Sequence, residues 1–122
     1  MPMARTLGLV VVRYEPAEVR ATMAWRAELC TAGGVLHGGA LMALADSTGG
    51  ACAFLNLPDG AAGTTTIESK TNFLRAVRSG LAEASSHPLH VGRTVVVVET
   101  DVRDDRQRPV ARVVQSQLVL RN

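Results

Sequence analysis

The residues from Glu18 to Trp25 alternate cleanly, with Val19, Ala21, Met23 and Trp25 on one side and Glu18, Arg20 and Thr22 on the other. A period of two marks a half-buried strand, whose successive side chains point to opposite faces. Leu7 to Val12 is rich in β-forming residues, and Tyr14-Glu15-Pro16-Ala17 reads as the turn into that strand, so a hairpin is predicted at the start. The pattern then changes. Gly38-Gly39 leads into Ala40-Leu41-Met42-Ala43-Leu44-Ala45-Asp46 and on through Ala51-Cys52-Ala53-Phe54-Leu55. Ala, Leu and Met are strong helix formers, and the polarity is low on every side. A helix that is apolar all round is expected to be covered all round. Gly49-Gly50 weakens it locally and admits another backbone closely, and Asn56-Leu57-Pro58-Asp59-Gly60 ends it.

Strands return after the helix. Thr64 to Leu74 sets Ile67, Ser69, Thr71 and Phe73 against Glu68, Lys70 and Asn72. Leu81 to Val91 contains Pro88, which cannot donate to a ladder and implies an edge or a bulge. Thr94 to Val102 holds Val95-Val96-Val97-Val98, a near-continuous apolar strand, and Asp104 to Pro109 turns it into Val110 to Leu120. Strands, one buried helix, then more strands joined by short turns predict an α+β fold, an antiparallel sheet holding a central helix.

The length of 122 residues fits one domain spanning 1–122, and 47% apolar residues supply a core. The only aromatic side chains are Tyr14, Trp25, Phe54 and Phe73, so platforms for stacking nucleic-acid bases are nearly absent. Thirteen basic and eleven acidic residues leave a net charge of +2 without a basic stripe or a polybasic patch. Nucleic acid and membrane are therefore not expected as partners. No signal-peptide pattern is present, and Cys30 and Cys52 lack metal-type or redox-type spacing. The expectation is a cytoplasmic protein with reduced thiols and no metal; a disulfide between the two cysteines is the less favoured reading.

Between Glu28 and Asp59 the only formal charge is Asp46, inside the helix expected to be buried. A carboxylate there finds donors, shifts its pKa, works chemically, or reaches solvent. His37 lies nine residues upstream, beside Gly38-Gly39 at the helix start. That separation is roughly 13 Å at 1.5 Å per residue, too far for contact within one chain. A second chain then supplies one of the pair if they share a site. The helix start offers unpaired N–H groups and two glycines, which suit an anion or a carbonyl oxygen becoming one; a plain loop-to-helix turn is the simpler reading. An amide nest with a lone carboxylate suggests acyl transfer or hydrolysis.

Gly34-Val35-Leu36-His37-Gly38-Gly39-Ala40-Leu41-Met42-Ala43-Leu44-Ala45-Asp46 resembles the signature of hotdog-fold acyl-CoA thioesterases of the phenylacetic-acid-degradation type. Lys70-Thr71-Asn72-Phe73-Leu74-Arg75 and Val91-Gly92-Arg93-Thr94 resemble that family's next strand and a later turn. The resemblance implies a hotdog fold, an acyl-CoA substrate with an aromatic or medium-chain acyl group, and no cofactor beyond the CoA of the substrate. It also implies a homodimer with sites at its interface, paired into a tetramer; the valine run of Thr94–Val102 fits an interface or a buried strand equally.

The resemblance assigns roles by residue. Asp46 becomes nucleophile or general base, and the Gly38 N–H polarises the thioester carbonyl. His37 holds the loop or the carbonyl side, Gly39 beside it binds substrate, and Thr66 (or Thr65) positions the attacking water. Arg93, followed by Thr94, meets CoA at the surface or is a solvated turn arginine. Thr31 stands where relatives often carry Asn or Gln, and Gly50 where one branch has a hydroxyl. A thioester needs no metal, since its thiolate leaves readily. No Gly-x-Ser-x-Gly elbow occurs, His87 and His90 read as structural or exposed, and Cys52 falls on another helix face from Asp46. The rivals are an acyl-thioester hydratase or dehydratase of the same fold and a non-catalytic acyl-CoA-binding module.

Overall fold

The structure is a computed structural model and describes Met1–Asn122. A short helix α1 (Pro2–Leu7) precedes the hairpin β1 (Val10–Glu15) and β2 (Glu18–Ala24). The long helix α2 (Gly38–Leu55) follows, then β3 (Gly63–Phe73), β4 (Leu81–Val91), β5 (Val95–Asp104) and β6 (Pro109–Leu120). All pairs are antiparallel, in the order β1-β2-β4-β5-β6-β3. One six-stranded sheet curls around one long helix: the hotdog fold.

The core lies between α2 and the concave face of the sheet. Val19, Ala21 and Met23 of β2 are buried as their alternation predicts. Val96, Val98 and Val102 of β5 and Val113 and Val119 of β6 meet Leu41, Leu44, Ala45, Cys52 and Ala53 of α2 in two apolar clusters. On the same face Ser86, Thr100, Gln115 and Gln117 are buried, and Ser86 and Thr100 share a hydrogen bond of 2.6 Å.

Several expectations change. The opening apolar stretch is not all strand: Pro2 starts α1 at a position where its missing N–H is harmless, and Gly8 ends it with a left-handed φ of 72°. The hairpin begins at Val10, and its turn is confined to Pro16-Ala17. Pro88 marks a bulge, the register slipping between Pro88 and His90, but β4 is interior and not an edge. The valine run of β5 is likewise interior, Val96 and Val98 entering the core while Val95 and Val97 are half-buried on the outer face. The unpaired edges are β1 and β3, exposed along almost all their length.

The β5–β6 turn is tied by Asp104, which is buried and accepts from the N–H of Arg106 and Arg108 and from the Arg108 guanidinium. Burial opposes its charge, but these donors outweigh that and hold its carboxyl below the usual range. A carboxylate depressed in the folded state adds stability that is complete above its unfolded pKa, about 3.9, and disappears as pH falls through the folded value. Asp104→Asn is therefore expected to melt below the wild type at neutral pH, with the gap narrowing under acid; melting curves across pH check this, and a pH-independent gap would refute it.

Candidate active site

The loop before α2 is clamped on several sides. Trp25 Nε1 donates to the Gly34 carbonyl at 3.0 Å, Thr31 N–H to Val35 at 2.8 Å, and Leu36 N–H to Val77 at 2.9 Å. These bonds deliver His37 as the helix N-cap, with φ −61° and ψ 136°, its Nδ1 accepting from the Gly39 N–H at 2.8 Å. An accepting Nδ1 places the ring proton on Nε2. The Gly39 amide is thus consumed by the cap, while the Gly38 N–H has no acceptor in the chain. The Phe73 ring packs so closely that a Cβ on Gly38 would meet it at 3.1 Å. Thr31, Gly38, Phe73 and Leu74 line a cleft of about 450 Å³ at this end, and the Thr31 hydroxyl accepts from the Gly33 N–H at 3.3 Å.

Asp46 lies eight residues further along α2, about 12 Å by helical rise. The expectation that it is buried is not met. The sheet covers only one side of α2, and Met42, Asp46 and Phe54 lie along an open stripe with Gly50 between them. The carboxylate still has specific partners. Its Oδ1 accepts from Thr66 Oγ1 at 2.8 Å and from Gln115 Nε2 at 3.4 Å, whereas Oδ2 accepts from no group of the chain. Thr65 is exposed and makes no such bond. Asp46, Thr66 and Gln117 border a cleft of about 750 Å³ whose other walls include Met3, Tyr14, Ala51 and Phe54. Asp46 is the only charged side chain lining it.

Arg93 and Thr94 are at the other end of the molecule from Gly38. Their carbonyls accept from Arg121 and from the Val119 N–H, beside the start of β3. One chain therefore unites Asp46 with Thr66 and His37 with Gly38, Gly39 and Thr31, but keeps these two groups and the Arg93 turn apart. Cys52 is fully buried and its thiol is pushed up to about 11 by burial, so it stays protonated and is no nucleophile.

Gln115 and Gln117 are site residues that the sequence reading missed, although Val113-x-Gln115-x-Gln117-x-Val119 keeps strict alternation with two core valines. Gly49 makes room for Gln115: a Cβ there would lie 2.7–2.9 Å from its amide. The close approach expected at Gly49-Gly50 is thus a side-chain contact at Gly49, with open space at Gly50.

The Thioesterase superfamily model matches residues 33–111, a stretch holding both the capped helix start and Asp46 with Thr66. The chain belongs to this superfamily. Membership makes it a thioester hydrolase by class. Among its relatives, the Mycobacterium tuberculosis protein Rv1847 is 32% identical over 114 residues, covering 92% of this chain and 81% of that protein. The structure of Rv1847/MT1895 superposes with a TM-score of 0.95 over 100% of this chain and 98% of that one. Thioesterase HI1161 from Haemophilus influenzae, 28% identical, superposes with a TM-score of 0.91 over 98% of this chain and 82% of that one. Proofreading thioesterase EntH from Klebsiella pneumoniae is 33% identical over 106 residues, covering 87% of this chain and 77% of that protein.

Two adjacent glycines of this thioesterase-superfamily helix give opposite expectations. Gly49→Ala forces the Gln115 amide aside and should cost about 1–3 kcal/mol, as overpacking does. Gly50→Ala meets nothing within 4 Å and should be neutral or gain up to about 1 kcal/mol from helix propensity. Urea unfolding of both variants decides it; equal effects would contradict the packing described.

Proposed function

We propose that the protein hydrolyses an acyl-CoA, with an aromatic or medium-chain acyl group, to the carboxylic acid and CoA, in the manner of the phenylacetic-acid-degradation type. The observation that carries this reading is the Asp46 carboxylate with Oδ1 held by Thr66 and Gln115 and Oδ2 open, beside a cleft with no other charged side chain. That lining favours an uncharged acyl group. In the reaction, Asp46 takes a proton from water as the water oxygen bonds to the thioester carbon, or its own oxygen attacks first and water then cleaves the anhydride. Either way the C–S bond breaks, and CoA departs as thiolate and regains a proton.

The unpartnered Gly38 N–H, at the positive end of an 18-residue helix, suits the carbonyl oxygen as charge develops on it. His37, accepting at Nδ1 as the cap, shapes that turn and leaves Nε2 without a partner in the chain. The Gly38–Asp46 separation of about 12 Å supports a site in which the Asp46 of one chain works with the Gly38 of another. The exposed edge of β3, with Ile67 outward, and the open stripe of α2 are the surfaces such a homodimer would cover. Arg93, whose guanidinium pairs with nothing in the chain, and Thr94 are the residues proposed to meet the CoA phosphates in a dimer of dimers. Thr31 is proposed to touch the substrate, and the setting is cytoplasmic.

Free-thiol release from aromatic, short and medium acyl-CoAs tests the reading. Asp46→Ala should lower kcat by roughly a hundredfold or more, as loss of a main catalytic group does. Gly38→Ala brings a Cβ against the Phe73 ring but keeps the N–H, whereas Gly38→Pro brings the same Cβ and deletes the N–H, at a first helical position that tolerates Pro after a His37 whose ψ is already extended. Relative to the Gly38→Ala control, Gly38→Pro should cost about a hundredfold, as loss of one oxyanion donor does. Refolding the two inactive variants together should restore part of the activity through mixed dimers. Unaltered activity in Asp46→Ala would sink the mechanism, absence of recovery would sink the shared site, and binding without hydrolysis would favour a sensing module.

A further inference from the structure

Gln115 and Gln117 sit two residues apart on β6, fully buried against α2. A buried primary amide carries donors and an acceptor that are costly to leave unmade. The chain satisfies them in a directed order. Thr64 Oγ1 donates to Gln117 Oε1 at 3.0 Å, which makes that end of the amide the acceptor. Gln117 Nε2 then donates to Thr66 Oγ1 at 2.6 Å and to Gln115 Oε1 at 3.1 Å. With its oxygen engaged, Gln115 turns Nε2 towards Asp46 Oδ1. Thr66 accepts from Gln117, so its single hydrogen is left for the same Oδ1. Both branches end on one carboxylate oxygen.

We propose that Gln117 is a positioning residue for the hydrolysis, acting through Thr66 and Gln115 to lock Oδ1 of Asp46 and leave Oδ2 as the reacting atom. This deepens the thioesterase reading and rests on it. Two features of the packing support a role beyond core filling. Apolar side chains of similar volume would spare two amides their desolvation, and the helix carries a glycine at position 49 where any Cβ would strike the Gln115 amide. The relay also changes the part played by Thr66. Its hydrogen serves the carboxylate, leaving only a lone pair for any water.

The test uses Gln117→Met, Thr66→Val and the double variant in the full-length protein, each first shown to melt cooperatively. Each single change should lower kcat about tenfold to a hundredfold, as misplacement of a catalytic group does, with KM little changed. The double variant should be no slower than Thr66→Val alone apart from the Gln115 branch, because both act largely through one hydrogen. Gln117→Glu adds a pH readout. The titratable groups lining this cleft are Asp46 on α2, Tyr14 on β1 and the amino group of Met1. An ionised carboxylate at position 117 only accepts, so it should draw the Thr66 hydrogen away from Asp46 and suppress kcat. Protonation at lower pH should restore a donor to Thr66 and part of the rate.

Fully additive losses, an effect on KM alone, or a wild-type pH profile in Gln117→Glu would overturn the proposal. Without substrate, the Gln117 side-chain amide resonances should shift on Thr66→Val. If they do not, the relay is wrong. If they do while the wild type cleaves no thioester, the hydrogen-bond order stands, and the thioesterase reading falls together with the positioning role built on it.

Discussion

The helix α2 touches the sheet through Leu41, Leu44, Ala45, Thr48, Gly49, Cys52 and Ala53, and from Ala45 onward the smallness of these side chains sets how near the two can lie. Larger residues along that line would lift the helix, and the valines of β5 and β6 would lose their partners. The close approach also leaves the far side of α2 uncovered, because a sheet curled round a helix reaches only part of its circumference. The single charge of the helix falls on that open side, at the edge of the covered region. There it can reach Thr66 and Gln115 and still keep one oxygen in solvent. An acid in the centre of the contact would be desolvated on every side; one a turn further round would meet no donors from the sheet.

A rigid helix also fixes what one chain cannot do. The capped start and the carboxylate are held apart by its rise, and no loop movement within the chain closes that distance. The loop before α2 is braced by Trp25, Leu36 and the Val35 carbonyl, so the helix start is a fixed feature and not a mobile flap. Each chain therefore holds the capped helix start and the hydrogen-bonded carboxylate at separate places, with the exposed edge of β3 running past both.

The helix was legible because Ala, Leu and Met run between a Gly-Gly start and an Asn-Leu-Pro-Asp-Gly stop, and the strands because their alternation is clean. Asp46 was conspicuous as an isolated charge. Its exposure was not, since average apolarity does not tell which side of a helix a sheet will leave open. α1 was hidden because six residues carry no helical period to speak of, and its apolar end reads equally as strand. Gln115 and Gln117 were readable in principle, being in phase with Val113 and Val119. What hid them was the habit of assigning polar residues to the solvent face. Their meaning depends on contacts with α2 and β3, which lie over fifty residues away and which no local pattern encodes.

The bulge in β3 has a further consequence. Thr66 pairs with Gln117 and Glu68 with Ser116, so Ile67 is an extra residue without a partner. Before it the even-numbered Thr64 and Thr66 face the helix; after it the odd-numbered Thr71 and Phe73 do, opposite Val113 and Ala111. Only this change of phase lets one strand serve the carboxylate at one end and the helix start at the other. Loss or gain of a single codon here would not merely shorten or lengthen an edge strand. It would turn one of the two ends inside out, so a change of length here is far more disruptive than a point substitution.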